Sequence, residues 1–196
     1  MANRAAKGPA FERWFCKELS KWWTQDFEES RDDIFWRTSG SGARATGRTR
    51  KNQKTANSYG DVMAIDPIGK PLLDVVTIEC KRGRSGHTIQ DLLDAPEWIV
   101  NQVYYQWFAQ AREDAKASGS LQWLLVVRRD RRDALVFWEN GPLTALVLVG
   151  SLPLLTFHGT GKDDNEILAT TLAAFLTKVH PDALRNLAKE LTDGNR

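Results

Sequence analysis

The spacing of apolar residues along the chain predicts an alternation of helices and strands. From residue 9 to residue 24, Phe, Trp and Leu side chains recur every three or four positions, which is typical of an amphipathic helix with Pro9 in its first turn. A second helix is predicted from about residue 97 to residue 116. Short runs rich in β-branched and aromatic residues predict strands at 34–38, 61–66, 71–81, 121–129 and 134–139.

The remaining apolar segments complete an α/β pattern. Residues 143–149 and 152–158 are apolar enough to be strands, and residues 164–191 predict one or two helices with an interruption near Pro181. The strands at 61–66 and 71–81 flank a turn-like Pro-Ile-Gly-Lys sequence, so we expect them to pair as an antiparallel hairpin. This order of elements predicts a central mixed β-sheet flanked by helices.

Composition sets the size and the setting of this fold. The chain has 196 residues, of which 42% are hydrophobic, so we expect one domain over residues 1–196, with a core at about 7–130 and a C-terminal extension at about 131–196. Cys16 and Cys80 both lie in apolar patterns, which predicts free buried thiols, a reducing compartment and no cysteine-rich zinc site. No signal peptide and no bilayer-length apolar run is visible, so we expect a soluble, cytoplasmic protein without a membrane partner.

Charge is distributed unevenly, although the net charge is only +2. Residues 39–59 contain Gly, Ser, Thr, Asn and basic residues and almost nothing apolar, which predicts a long basic loop. Residues 34–60 include no acidic residue but six basic ones, Arg37, Arg44, Arg48, Arg50, Lys51 and Lys54. A region of one sign attracts polyanions, so it indicates either contact with nucleic acid or a solvated, flexible loop.

Charged residues also interrupt the end of the strand predicted at 71–81. Glu79 and Lys81 are two positions apart and therefore share one face of that strand. In the predicted hairpin, Asp61 at the start of the first strand lies beside the end of the second. Two carboxylates suit a hard cation such as Mg²⁺, with the Cys80 carbonyl as a further ligand, and a lysine can orient water or stabilise phosphate charge. A surface Glu–Lys ion pair is the competing interpretation.

Four segments in this order resemble a known nuclease group. Asp61 followed by Glu79-Cys80-Lys81 is similar to the core motif of the PD-(D/E)xK nuclease superfamily. The match resembles most closely the archaeal-type Holliday junction resolvases, which also occur in phages. Residues 7–19 resemble their opening helix with a metal-site glutamate, here Glu12, and residues 35–43 their strand and serine-bearing loop. The resemblance extends over roughly residues 7–86.

The resemblance implies a restriction-endonuclease-like fold and a metal-dependent endonuclease. It implies Glu12, Asp61 and Glu79 as metal carboxylates, Lys81 as the catalytic lysine, and Ser39 or Ser41 as phosphate contacts. The expected cofactor is Mg²⁺ or Mn²⁺, and the expected partner is DNA, with a homodimer cutting four-way junctions in the cytoplasm of a cell or of a phage host. We expect DNA contacts from the six basic residues of the region 34–60 and from Arg82, Arg84 and Gln102.

Departures from the family pattern leave alternatives open. Gly60 replaces the proline that names the superfamily, a substitution expected to be harmless, and a basic insertion and a C-terminal extension leave junction specificity open. A restriction-type or repair nuclease acting on duplex DNA is therefore an alternative, as is a non-catalytic DNA-binding module. Gln102, Gln106 and Gln110 recur every four residues, a spacing that also suits an ordinary polar helix face. Residues 128–133 are most simply a charged hairpin turn that could add phosphate contacts.

Overall fold

The computed structural model describes residues 4–38, 59–82, 89, 92, 103–148, 153–157 and 165–193. The helices are α1 (Arg4–Trp23), α2 (Lys70–Val75), α3 (Val103–Ser118), α4 (Pro142–Leu148), α5 (Leu172–Lys178) and α6 (Pro181–Asp193), and a 3-10 helix (Pro67–Gly69) precedes α2. The strands are β1 (Phe35–Arg37), β2 (Val62–Ala64), β3 (Val76–Arg82), β4 (Gln122–Arg128), β5 (Ala134–Glu139), β6 (Leu155–Phe157) and β7 (Ile167–Thr171). Within these ranges, no helix has both the length and the apolar character needed to span a membrane.

Five of the strands form one mixed sheet, which confirms the predicted α/β class. The strand order is β3-β4-β5-β7-β6, so β3 lies at one edge. The β3–β4 pair is parallel and the other pairs are antiparallel. Strands β1 and β2 form a separate antiparallel ribbon. Three strands of the sheet come from residues beyond 130, which the sequence predicted to be an extension.

Helices cover both faces of the five-stranded sheet. One core contains apolar side chains of α1, α5 and α6 packed on alternate residues of the strands, including Val76, Ile78 and Cys80 of β3. The other core contains Phe108 and its neighbours on α3, packed on the opposite face. Residues 77, 79 and 81 of β3 therefore point towards the α3 side, as the period-2 pattern predicted.

Helix α1 confirms the predicted amphipathic helix but begins earlier. It starts at Arg4, so Pro9 lies inside the helix and not in its first turn. Phe11, Phe15 and Leu19 are all buried on the face that meets the sheet. The predicted apolar stripe is therefore the packing face of this helix.

The predicted hairpin between residues 61–66 and 71–81 is wrong. Strand β2 pairs with β1, and the chain between β2 and β3 is helical. The side chain of Asp66 accepts a hydrogen bond from the Ile68 N–H at 3.0 Å and so begins the 3-10 helix. Leu72 and Val75, three residues apart, are buried, so the apolar run 71–75 reflects a helical face.

Two C-terminal predictions also change. Residues 143–149, predicted to be a strand, lie largely in α4, where Leu143 and Val147 are fully buried one helical turn apart. Strand β7 occupies part of the region predicted to be helical. Thr171 ends that strand and caps α5 by accepting a hydrogen bond from the Ala174 N–H at 3.2 Å. The prediction of one or two C-terminal helices interrupted near Pro181 is confirmed, since α5 ends at Lys178 and α6 begins at Pro181.

Candidate active site

Asp61 is attached to the outer edge of β3. Its N–H donates to the Ile78 carbonyl at 2.8 Å, and the Cys80 N–H donates to Oδ2 of Asp61 at 2.9 Å. The aspartate is buried, with 6% of its surface exposed. The structure thus places Asp61 beside Glu79, as expected, but through this edge contact and not through a hairpin.

Gly60 gives the chain the conformation that this contact requires. Its φ angle is +69°, a region that side-chain-bearing residues rarely adopt. A Cβ atom at this position would lie 2.7 Å from the Ile78 carbonyl oxygen and 2.9 Å from Cγ2 of Thr77. The glycine in place of the superfamily's proline is therefore a requirement of this backbone, because proline fixes φ near −65°.

We expect Gly60→Ala to destabilise the protein more than Gly119→Ala. Gly119 has a similar φ of +79° but nothing within 4 Å of its would-be Cβ, so it reports the conformational strain alone. That strain costs about 1–2 kcal/mol, and Gly60→Ala adds the collision with β3. Urea unfolding followed by tryptophan fluorescence measures both variants, and equal decreases in unfolding free energy would contradict the assigned edge contact. Gly60→Pro should be the most damaging of the three.

Glu79, Lys81 and Gln110 form a hydrogen-bonded triangle on the α3 side of β3. Lys81 Nζ donates to Oε2 of Glu79 and to Oε1 of Gln110, both at 2.9 Å. Gln110 Nε2 donates to the same Glu79 oxygen at 3.3 Å. The Glu79 side chain is only 3% exposed and that of Lys81 is 20% exposed. A surface ion pair does not describe this arrangement, because the carboxylate is buried.

Gln110 is a site residue that the sequence did not single out. The four-residue spacing of glutamines marked one helix face, but Gln102, the residue preferred from sequence, lies outside the described residues. Asp114, one turn after Gln110 on α3, also acts on Glu79 and raises the pKa of its carboxyl group. Helix α3 therefore supplies two polar side chains to the buried carboxylate.

Burial and neighbouring carboxylates raise the pKa values of Glu79 and of the two cysteines. Burial and then the nearby charge of Asp61 raise the pKa of Glu79 to about 9, whereas Lys81 acts in the opposite direction. Burial, with Glu12 and Asp61, also raises the pKa of the Cys16 thiol to about 12, and the pKa of Cys80 is raised well above its usual value mainly by burial. Both cysteines are free and buried, as predicted, and their thiols stay protonated.

Glu12 approaches the same strand from α1. It is 9% exposed, and Arg37 of β1 donates through Nε to its Oε2 at 2.7 Å. The charge of Glu12 also contributes to the raised pKa values of Cys16 and Cys80. Arg37, predicted to bind DNA, therefore neutralises Glu12 in this structure.

The donor set at this edge fits a hard divalent cation. Asp61, Glu79 and Glu12 offer carboxylate oxygens and Cys80 a backbone carbonyl, the ligands that Mg²⁺ prefers. A cation there would favour the ionised form of Glu79 and so oppose the burial that raises its pKa. Within the described ranges, one cluster of acidic and histidine residues has all its potential ligand atoms within 4.8 Å of one another. This cluster lies elsewhere, at the exposed residues Asp26, His180 and Asp182. The carboxylates at β3 are less tightly gathered than that group.

The remaining predicted site residues divide into two groups. Arg82 is described and donates to Oδ1 of Asp130 in the turn after β4. The others lie outside the described residues: Ser39, Ser41, Arg44, Arg48, Arg50, Lys51, Lys54, Arg84 and Gln102. Their assignments stay predictions.

The fold and this site together define the class of protein. A mixed sheet flanked by helices, whose edge strand carries Glu79 and Lys81 beside an aspartate, has the architecture of the PD-(D/E)xK nucleases. The chain matches the family described as "Phage putative PDDEXK endonuclease" over residues 3–186, and it belongs to that family. No curated protein and no solved structure matches the chain.

Membership of this family establishes the broad activity of the protein. The protein is a nuclease of the PD-(D/E)xK superfamily, a hydrolase that acts on DNA, and nucleases of this superfamily generally use divalent metal ions. The family match extends through α5 and into α6, well beyond the residues 7–86 that carried the resemblance. The C-terminal elements are thus part of what defines the family.

Proposed function

We propose that this protein is a Mg²⁺-dependent, structure-selective DNA endonuclease, and specifically a Holliday junction resolvase. The observation that carries the proposal is the Glu79–Lys81–Gln110 triangle, with its buried Glu79 carboxylate, directly beside Asp61. A buried, hydrogen-bonded acid next to a second acid and a lysine is costly for a fold that has no use for it. The arrangement is suited to hydrolysis of a phosphodiester.

Four groups would hold the cation in this proposal. Asp61 and Glu79 supply the principal carboxylates, Glu12 assists, and the Cys80 carbonyl adds a fourth oxygen. Mn²⁺ would suit the same oxygen donors. When bound, the metal polarises the scissile phosphodiester and lowers the pKa of a water molecule.

Lys81 has a separate task in the reaction. An ammonium group has three N–H donors, and Glu79 and Gln110 accept two of them. The third is assigned to the attacking water or to a phosphate oxygen, where a fixed positive charge stabilises the charge that develops during in-line attack. Gln110 and Glu79 act by holding the ammonium at one position.

Junction selectivity rests on contacts to the DNA backbone. The basic loop at 39–59, with Ser39 or Ser41, and the residues Arg37, Arg82, Arg84 and Gln102 are the proposed contacts. Backbone contacts report the path of the strands more than their base sequence, which suits branched DNA. Two incisions across a junction need two sites, so a homodimer is part of the proposal. Exposed apolar side chains on and beside the β1–β2 ribbon, Trp36, Ile65 and Ile68, offer a surface for it.

A duplex-specific nuclease is the second candidate. The family match includes the C-terminal strands and helices, which a minimal resolvase lacks, and these elements leave room for a restriction-type or repair activity. A non-catalytic DNA-binding module is less well supported, because the acids and the lysine are all retained and Lys81 is hydrogen-bonded to Glu79.

One assay separates these candidates. The protein is incubated with a synthetic four-way junction, a linear duplex and single-stranded DNA, each with Mg²⁺ and with EDTA. We expect paired, symmetric nicks only in the four-way junction, and only when Mg²⁺ is present. Cleavage of the linear duplex would select the restriction-type or repair nuclease, and binding of DNA without any cleavage would refute the catalytic proposal.

A further inference from the structure

Basic residues gather where strands β3 and β4 end, next to the candidate active site. The two strands are parallel, and their register pairs Arg82 with Arg128, so their carboxyl ends meet at one edge. The turn that follows β4 and the start of α1 reach the same place. The basic ridge is defined as Lys7, Arg82, Arg128, Arg129, Arg131 and Arg132, with the acidic residues Asp130 and Asp133 among them.

Asp130 ties three separate segments of the ridge together. It accepts a hydrogen bond from Lys7 Nζ of α1 at 2.8 Å and another from Arg82 of β3. These two cations hold the pKa of Asp130 below its usual range. The turn therefore contacts both α1 and β3, and it lies beside Arg82, the chain neighbour of Lys81.

Arg128 is ordered by an aromatic stack on the same side. Its guanidinium lies 4.4 Å from the centre of the Trp14 ring, and Trp14 stacks in turn on Phe11 at 5.7 Å. Trp14 is 37% exposed, so this stack lies at the surface. A guanidinium stacked in this way keeps its N–H edge available to phosphate oxygens.

The ridge and the candidate site share their supporting elements. Helix α1 carries Lys7 and Trp14 of this region and also Glu12 of the site, while β3 carries Arg82 directly after Lys81. Arg131 and Arg132, at the tip of the turn, are exposed. A phosphate backbone that enters the site from the α1 side would therefore pass over a surface of six basic and two acidic residues.

We propose that the basic ridge binds backbone phosphates of duplex DNA beside the scissile position. The inference rests on the proposed function, since it takes the edge of β3 as the place of cleavage. Lys7 and Arg82 are paired with Asp130, Arg128 stacks on Trp14, and Arg131 and Arg132 supply the exposed contacts. The ridge lies within the described residues and is independent of the basic loop at 39–59.

The test measures duplex binding in EDTA, where no cleavage takes place. Fluorescence anisotropy of a labelled duplex over a range of NaCl concentrations gives the slope of log affinity against log salt. We expect Arg131→Gln/Arg132→Gln to weaken binding and to reduce the slope by about 0.9 for each phosphate that the protein no longer neutralises. Arg131→Lys/Arg132→Lys should keep the slope of the unmodified protein, because the charges remain.

A matched control removes two charges elsewhere. Lys178 and Lys189 are exposed residues of α5 and α6. Val179 accepts a hydrogen bond from Trp22, and Arg185 stacks on Trp23, so both lysines lie towards the C-terminal end of α1, on the order of 20 Å along its axis from Lys7. Lys178→Gln/Lys189→Gln should leave the slope unchanged. Equal slopes for the two glutamine double variants would overturn the proposal.

The outcome is separable from that of the proposed function. A reduced slope in a protein that cuts no DNA supports phosphate binding by the ridge but refutes the catalytic proposal, and with it the placement of the ridge beside a scissile position. An unchanged slope in a protein that cuts with Mg²⁺ refutes the ridge and leaves the nuclease assignment in place.

Discussion

Replacing Asp61 by Asn is expected to abolish metal-dependent cleavage while leaving DNA binding intact. The carboxamide oxygen of the introduced side chain can still accept the Cys80 N–H that Oδ2 of Asp61 accepts at 2.9 Å, so the attachment to β3 survives. The substitution removes the negative charge that the proposed cation requires. Changes to groups that only support a metal ligand cost about 10–100-fold in affinity or activity, and removal of a ligand itself should exceed that range.

The comparison requires cleavage, binding and stability measurements on the same proteins. Cleavage of labelled DNA is followed in Mg²⁺, and binding is followed in EDTA. Asp74→Asn is the matched control, because Asp74 is an exposed carboxylate of α2 paired only with Lys70 in the described structure. It should cut at the rate of the unmodified protein. An Asp61→Asn protein that still cuts would show that the metal ligands are assigned wrongly.

Asp61, Glu79 and Lys81 could be predicted from the sequence as residues of the candidate site, whereas the path of the chain that brings them together could not. Glu79 and Lys81 share a strand face in any regular strand, so that relationship needed no tertiary information. Asp61 was expected nearby because of a hairpin that does not exist. It reaches β3 through two edge hydrogen bonds made possible by the positive φ of Gly60. The expected proximity held because both chain paths bring residue 61 to the same end of β3.

Helix α3 illustrates what local sequence patterns cannot provide. The glutamine repeat identified a polar face, but the turn that meets Glu79 depends on how α3 packs across β3 and β4. That packing is set by Phe108 and Ala111, which are buried against the sheet. The placement of Gln110 and Asp114 at the site is a consequence of this packing. No spacing within the helix sequence distinguishes them from Gln102 and Gln106.

The C-terminal region shows the ambiguity of short apolar runs. Residues 143–149 and 167–171 are both short segments with several apolar residues, yet the first lies largely in helix α4 and the second is strand β7. Periodicity alone does not separate a buried strand from a buried helix of this length. The strand is set by its pairing between β5 and β6, contacts that join residues far apart in the chain.

Replacing Lys81 by Met is expected to lower the cleavage rate by about 10²–10³-fold, the decrease typical when one preorganised group that stabilises transition-state charge is removed. Methionine keeps the length of the side chain without the ammonium group. Lys81→Arg should recover only part of the rate. A planar guanidinium cannot reproduce a point charge held between the oxygens of Glu79 and Gln110.

Single-turnover cleavage at saturating protein separates this chemical role from a role in binding. Affinity for DNA in EDTA should change little for Lys81→Met, because the Lys81 side chain is only 20% exposed and is held by protein acceptors. Lys116→Met, at an exposed position near the end of α3, removes the same charge and should cut normally. If Lys81→Met cuts at the unmodified rate with its unfolding free energy reduced, Lys81 serves only as the counterion of the buried Glu79. In that case the water or phosphate must be oriented by another group.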